Sequence, residues 1–438
     1  MAGVDRSRRL VHFAMGGLAF LLPYLTPVQA ACAAGGAVAF NVLLLPRLSP
    51  SLFRKGEREA PWRSGIVIYP VSVLLLVLLF RHRLEIAGAA WAILAAGDSA
   101  AGWVGRRHGR RPLPWNRSKT WEGSAAFAIA GFVFSWAILV WMGRGALVGA
   151  LLAGPAALFA AFMESLPWSL DDNLTVPLLA ALFLAGLTRV DPLILRASAP
   201  GLGRALLIGA AVNALLAIVF RASGAVDRSG MLAGFVVGVL TWTFVSWRGF
   251  LVLITFFVLG TGSTRLGMRR KLALGIAQEK RGARSARHAL ANCGVAVCLA
   301  FLAAATDTPA LYHLAFVCAY ATAAFDTVSS EIGRAFGGRP ILITTLRQVT
   351  PGTDGGISFL GTFAGLAASA VVGGMAAATG LLDVRLIPIV LAAAFIGSTA
   401  DSLLGATLER RGLIDNEAVN FSNTLVGSLG GIGLYRLM

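Results

Sequence analysis

Charge is scarce in this chain: of 438 residues, Asp, Glu, Lys and Arg together make up 13%, and only 21 are acidic. Hydrophobic residues make up 57% and the mean hydropathy is +0.74. That leaves too little polar surface to coat a water-soluble globule, so a soluble domain is excluded. Cysteine is scarce too. Cys32, Cys293, Cys298 and Cys318 lie within or beside apolar runs, with no CxxC pair and no Cys/His ligand spacing. Neither a disulfide framework nor a metal–thiolate centre is expected from them. The alternating short segments of a membrane β-barrel are missing, as are a Walker A string and a protein-kinase signature. Charge precedes an apolar run at the N-terminus, as in a signal peptide, but no small-residue cleavage site leads into a soluble domain. That run therefore reads as a first helix.

Apolar runs of roughly 17 to 23 residues recur along the chain, each long enough to cross a hydrocarbon core about 30 Å thick. Leu and Ala carry them and Gly breaks them, as in packed transmembrane helices. The expectation is an all-α polytopic integral membrane protein with about fifteen spans. Basic stretches at Arg6 to Arg9, Arg47 to Arg63, Arg106 to Lys119 and Arg265 to Arg287 fall on one side if the N-terminus is cytoplasmic, in a plasma or inner membrane. Arg81 and Arg83 are the exceptions. The formal charge of +17 is then mostly topology and headgroup attraction. It is scattered over short loops, so nucleic acid is not an expected partner.

The chain also repeats itself. Gly97 to Pro112 reads without gaps against Phe325 to Pro340, with identities at Asp98/Asp326, Gly105/Gly333, Arg106/Arg334, Gly109/Gly337, Arg111/Arg339 and Pro112/Pro340. An acid before glycine follows in each half, at Glu122-Gly123 and Asp354-Gly355, and then an acid before Ser-Leu, at Glu164 and Asp401. A polar return to the membrane closes each half, at Asp171-Asp172-Asn173 and at Asn420-Phe421-Ser422-Asn423. The two Asp-bearing helices are the fourth and the twelfth, and this even separation places both on the same side, implying a parallel duplication. Its join is expected near residue 200, in the Pro- and Gly-containing Arg196 to Gly203, giving domains 1–200 and 201–438.

Carboxylates at membrane depth are costly unless they are paired or bind an ion. Hard oxygen ligands suit Mg²⁺, and the loop from Asp98 to Glu122 carries Arg106, Arg107, Arg110, Arg111, Arg117 and Lys119, which would neutralise a phosphate chain. Carboxylates beside cations on one face suggest phosphoryl transfer from a metal-bound nucleoside triphosphate. Glycines such as Gly97 and Gly105 would let backbone amides approach phosphate oxygens, although glycine also serves helix packing.

These motifs carry a family resemblance. Residues from about 8 to 190 resemble the phytol kinase and dolichol kinase group of CTP-using membrane kinases. The likeness rests on Arg8-Arg9-Leu10-Val11-His12, Gly97-Asp98-Ser99, Asn116 through Ser124, Glu164-Ser165-Leu166-Pro167 and Asp171-Asp172-Asn173. Residues from about 228 onward resemble the membrane family that includes plant phytyl-phosphate kinase. There the match is Thr264 to Gly267, Glu279 to Arg284, Asp326 through Arg334, Pro351 to Gly356, and Asn420 with Asn423. The second half departs from the first in lacking Lys-Thr-Trp-Glu, so its cations would come from Lys280, Arg281, Arg284 and Arg287.

The resemblance implies sequential salvage of an isoprenoid alcohol with CTP as donor. In the first half, Asp98, Glu122 and Glu164 would hold Mg²⁺ and nucleotide phosphates. Lys119 and Arg106 would stabilise the transferred group, with Gly97, Gly105, Arg117 and Gly123 around the nucleotide, and Asp172 would accept the hydroxyl proton. In the second half, Asp326, Asp354 and Asp401 would serve as metal and phosphate residues, with Gly333, Arg334, Asn420 and Asn423 beside them, converting the prenyl monophosphate to the diphosphate. Two rivals remain at this stage. One is a cytidylyltransferase making a CDP-linked lipid; the other is a parallel-repeat transporter, whose acids would sit at mid-span.

Overall fold

In a computed structural model, which describes residues 11–49, 52–53, 64–167, 171–273, 275 and 283–438, the apolar runs are helices. Among the described residues, eight helices are long and apolar enough to cross a membrane and four more are shorter apolar helices. The all-α membrane architecture follows directly. Length alone does not decide the expected count of about fifteen spans, because several runs fall short of full bilayer length. The element Arg228–Arg265 is two helices that meet at a sharp kink at Ser246 (φ 64°, ψ −171°). A β-carbon there strains the backbone, which marks a built-in break rather than a gentle bend.

The chain forms two compact units, Met1–Arg189 and Val190–Met438. The described helices of the first are α1 (Val11–Tyr24), α2 (Pro27–Leu43), α3 (Gly65–Leu79), α4 (Leu84–His108), α5 (Trp121–Trp141), α6 (Ala146–Ser165) and α7 (Asp172–Leu187). Its axis is α4, buried without interruption from Ile86 to Gly97. Ala and Gly dominate this run, so neighbouring backbones approach closely. At one end of the unit, Glu85 pairs with Arg83 (3.3 Å) and Arg144 (3.1 Å), and Arg83 also donates to Thr188 Oγ1 (2.9 Å). The site described below lies at the other end of α4.

The second unit comprises α8 (Pro192–Ala222), α9 (Arg228–Arg265), α10 (Ala286–Ala305), α11 (Pro309–Phe336), α12 (Phe359–Ala378), α13 (Ile387–Leu404) and α14 (Asn416–Arg436). Arg196 to Gly203, read from sequence as a link, is helical interior within α8, with Pro200 inside it. The central helix is α11, which carries Asp326. A two-residue antiparallel ribbon, Ile341–Leu342 with Gly356–Ile357, lies in the loop between α11 and α12.

One turn recurs in both units and fixes their register. Thr120 caps α5 by accepting from the Gly123 N–H (3.2 Å), and Ser358 caps α12 by accepting from the Gly361 N–H (3.1 Å). A β-carbon on Gly105 would meet Thr120 Oγ1 at 3.4 Å, and one on Gly333 would meet Ser358 Oγ at 2.9 Å. Seven residues after each cap the packing is exchanged. Gly97 lies against the Phe127 ring (2.8 Å from an added Cβ), whereas Phe325 lies against Gly365 (2.6 Å). Large and small have swapped sides of the same contact. This register corrects one pairing made from sequence: Thr120 matches Ser358, so Glu122 corresponds to Leu360, not to Asp354, and Lys119 corresponds to Ile357.

Candidate functional site

The loop after α4 folds back on itself. Leu113 N–H bonds the Lys119 carbonyl (2.9 Å), Trp121 N–H bonds the Arg111 carbonyl (3.0 Å), and Leu113 is buried as its anchor. This delivers Lys119 to the ends of α6 and α7. Its Nζ contacts Glu164 Oε1 (2.6 Å) and Asp172 Oδ2 (2.8 Å) and also donates to the Glu164 carbonyl. Burial pulls the Lys119 pKa down, but the Asp172 and Glu164 carboxylates outweigh it and raise the ammonium above the ordinary lysine value. Asp172 sits in the first turn of α7, behind the Asp171 cap, where a helix N-terminus favours negative charge. Trp115 and Asn116 brace the same corner through the Ser165 hydroxyl (3.1 Å) and carbonyl (3.1 Å).

Asp98 reaches this cluster through space, as the nearby charge of both Glu164 and Asp172. It also lines a cavity of about 930 Å³. The cavity wall is apolar, from side chains such as Leu22, Ala34, Phe40 and Val73 of α1 to α3, and its polar end holds His12, Asp98, Arg106, Asp171 and Asn173. A long apolar volume with a few convergent polar groups has the make-up of a site for an amphiphile.

Other residues expected at this site stand elsewhere. Glu122 is half-buried at the turn, accepting from the Arg111 N–H (3.3 Å), and among the described residues it has no hydrogen bond or ion pair with Lys119, Glu164 or Asp172. Arg117 is exposed in the loop. Gly97, Gly105 and Gly123 are used in helix packing, against Phe127 and against one another across the Thr120 turn. Sequence reasoning missed Tyr69 and Trp91, which sit on α3 and α4 and carry no motif. Trp91 Nε1 donates to Tyr69 Oη (2.6 Å), Tyr69 Oη donates to the His12 carbonyl (3.3 Å), and the His12 and Tyr69 rings lie 4.2 Å apart.

In the second unit, Asp326, Gly333, Arg334, Asp354 and Asp401 line one polar pocket of about 100 Å³, together with Ser358, Glu409 and Asn416. The Asp326 and Asp401 carboxyls lie close enough to perturb each other, with Arg334 as the nearby cation. Asn423 Nδ2 donates to Asp401 Oδ1 (2.9 Å), and Asn420 Nδ2 donates to Asn416 Oδ1 (3.2 Å). Of the expected cations, Lys280 and Arg281 lie outside the described residues. Arg287 is taken by Asp415 (2.6 Å) and Glu417 (3.6 Å). Arg284 lies over the Phe256 ring (5.6 Å) and lines a different, mostly apolar pocket with His288 and Asn292. Its burial lowers the guanidinium pKa.

Among the described residues, no group of three or more His, Cys, Asp and Glu is arranged to hold a metal ion. Mg²⁺ nonetheless commonly uses one or two carboxylates and completes its shell with water and substrate phosphate. The Asp326–Asp401 contact fits that habit, because two carboxylates that close need a cation or a shared proton. Glu164 and Asp172 already have Lys119 between them.

Fold and site together define a polytopic membrane protein with carboxylate–cation clusters at helix ends. Residues 211–428 match the family described as Integral membrane protein DUF92, and the chain belongs to that family. An uncharacterized membrane protein of Synechocystis is 36% identical over 202 residues, which are 45% of this chain and 78% of the relative. A protein named probable phytol kinase, chloroplastic, of Triticum aestivum is 36% identical over 154 residues, 32% of this chain and 50% of that protein. The farnesol kinase, chloroplastic, of Arabidopsis thaliana is 31% identical over 197 residues, 40% of this chain and 63% of that protein. No solved structure matches the chain.

Proposed function

We propose that this protein is a membrane kinase for isoprenoid alcohols, with the alcohol bound in the first unit. The observation that carries the reading is the 930 Å³ cavity, apolar along its wall and ending at Asp98 and Arg106 beside the Lys119–Glu164–Asp172 cluster. An isoprenoid tail fills the apolar part and its hydroxyl comes to rest at the polar end. Cations and carboxylates there suit a phosphate chain in transfer. Two relatives are named for phosphorylating a prenol, phytol in one and farnesol in the other, which supports the same substrate class here.

The finer reading is a two-step enzyme with both sites facing the cytoplasm. The first unit makes the prenyl monophosphate, using CTP. The second makes the diphosphate, with Asp326 and Asp401 as the residues that would hold Mg²⁺, and Asp354 and Arg334 lining the same pocket. When bound, Mg²⁺ would neutralise phosphate oxygens. Arg106, in the last turn of α4, and Lys119 orient and neutralise the donor in the first unit, and the buried Leu113 anchors the Lys119 loop. Joining the two units in one chain keeps the monophosphate at high effective concentration for its second transfer.

The test is the full-length protein in lipid nanodiscs, with labelled CTP or ATP and phytol, geranylgeraniol, farnesol or their monophosphates as acceptors. Nucleoside diphosphate together with prenyl phosphate supports the kinase. Release of pyrophosphate with a CDP-linked lipid would instead make it a cytidylyltransferase.

A further inference from the structure

We propose that His12 accepts the proton of the substrate hydroxyl in the first unit, a role that rests on the kinase reading above. Four groups at the polar end of the cavity can carry charge, namely His12, Asp98, Arg106 and Asp171, and Tyr69 faces the same end from α3. Arg106 has donors only, so it takes no proton. Asp171 is committed as the α7 cap, its Oδ1 accepting from the Asn173 N–H (2.9 Å) and from Asn173 Nδ2 (2.8 Å). Tyr69 Oη is already bonded to Trp91 and to the His12 carbonyl. Asp98 faces the Glu164 and Asp172 charges, in the part of the site that the kinase reading gives to the donor phosphates. Asp172, the proton acceptor suggested by sequence, is held by Lys119 and does not line the cavity.

His12 remains, and its geometry suits the task. Its Nε2 is buried with no hydrogen-bond partner among the described residues, although the ring lines the cavity. A buried, unpaired nitrogen is costly unless something fills the gap. The Tyr69 ring packs against the imidazole at 4.2 Å, and the Trp91–Tyr69 pair anchors the His12 backbone carbonyl. A neutral imidazole nitrogen is an acceptor matched to a hydroxyl donor. In the transfer, the alcohol oxygen forms a bond to the γ-phosphorus of the nucleoside triphosphate as the bond from that phosphorus to the β–γ bridging oxygen breaks. The hydroxyl proton passes to His12 Nε2, and the electron pair of the broken bond leaves with the nucleoside diphosphate. His12 later returns its proton to water.

Two measurements on the full-length protein test this. The first is carbethoxylation by diethyl pyrocarbonate, read residue by residue by mass spectrometry with and without farnesol. Farnesol should protect His12 severalfold and leave His82 and His108 unchanged. Equal labelling of His12 in both samples overturns the contact. The second is kinetic. His12→Gln should lower kcat for alcohol phosphorylation by about 10²- to 10⁴-fold with little change in KM, and imidazole should restore part of the rate in His12→Ala. Phosphorylation of added prenyl monophosphate should persist in both variants as the check on folding. A His12→Gln enzyme with the parent kcat overturns the proposal while leaving the kinase reading intact. A parent protein that phosphorylates no prenol sinks the kinase reading, and the proton-transfer role with it, whatever the labelling shows.

Discussion

Replacing Lys119 by Met should cost stability in a way that the geometry apportions between its partners. The Glu164 side chain is 8% exposed and lies 2.6 Å from Nζ, whereas Asp172 is 41% exposed at 2.8 Å. Removing one partner of a buried pair strands the other charge and costs about 3 kcal/mol or more. Losing an exposed pair costs about 1 kcal/mol at most. Lys119→Met should therefore destabilise the first unit by about 3 kcal/mol, almost all of it through Glu164. Glu164→Gln alone should cost only about 1 kcal/mol, since Lys119 keeps Asp172 and the Glu164 carbonyl.

The double variant then decides the matter. With the stranded carboxylate gone, it should be less destabilised than the sum of the singles, with a coupling of about 2 kcal/mol. Equilibrium unfolding in mixed micelles titrated with SDS measures all four corners of the cycle. Because the folded Lys119 pKa is raised, its contribution is complete below the unfolded lysine value and declines only as pH rises past it. The difference between parent and Lys119→Met should thus be flat across neutral pH and shrink only in strong alkali. Strict additivity, or a difference that vanishes at neutral pH, would show that Lys119 is not the charge holding Glu164.

Three further outcomes are expected. Gly97→Ala places a methyl 2.8 Å from the Phe127 ring and should destabilise by about 1–3 kcal/mol, with Phe127→Leu restoring much of the loss, as thermal melts of the purified variants would read. Asp98→Asn should abolish phosphorylation of free alcohol while sparing that of added prenyl monophosphate; joint loss of both activities would mean one shared site. Val73→Trp, in the cavity wall, should raise KM for farnesol with little change in the monophosphate reaction, and an unchanged KM would place the tail elsewhere.

Membrane architecture was legible because it rests on composition, and helix positions because each needs only a long apolar run. The approach of Lys119 to Glu164 and Asp172 was legible only as a set of residue types. Nothing in the spacing says that the loop anchored by Leu113 turns Lys119 back onto the ends of α6 and α7. The repeat was visible through Asp98/Asp326 and Gly105/Gly333, yet an acid-before-glycine match misplaced Asp354. The true register is set by a hydroxyl cap, Thr120 or Ser358, and by a Gly/Phe exchange that leaves no identity to align. His12 drew notice for its motif, but its unpaired nitrogen and its support from Tyr69 are properties of packing. Arg83, an exception to the charge rule, proves to be neutralised locally by Glu85.

The same register shows how the two units part in chemistry. Ile357 stands where the first unit has Lys119, so no ammonium at that position separates the acids, and the Asp326 and Asp401 carboxyls share one pocket. Asn423, wholly buried, gives Asp401 one hydrogen bond (2.9 Å), and its own Oδ1 has no partner among the described residues. One amide donor does not balance two carboxylates, and among the described residues Arg334 is the single cation lining that pocket. If Mg²⁺ supplies the remaining charge, an ammonium introduced at this point should compete with it. Ile357→Lys should then raise the Mg²⁺ concentration needed for half-maximal phosphorylation of prenyl monophosphate, as should Asp401→Asn, while the reaction on free alcohol keeps its parent Mg²⁺ dependence. Thermal stability of Ile357→Lys should hold or rise as the new amine pairs with Asp401. If Mg²⁺ titration of both variants gave the parent half-saturation, the acids would be bridged by a shared proton instead, and the divalent ion would have to bind through substrate phosphate alone.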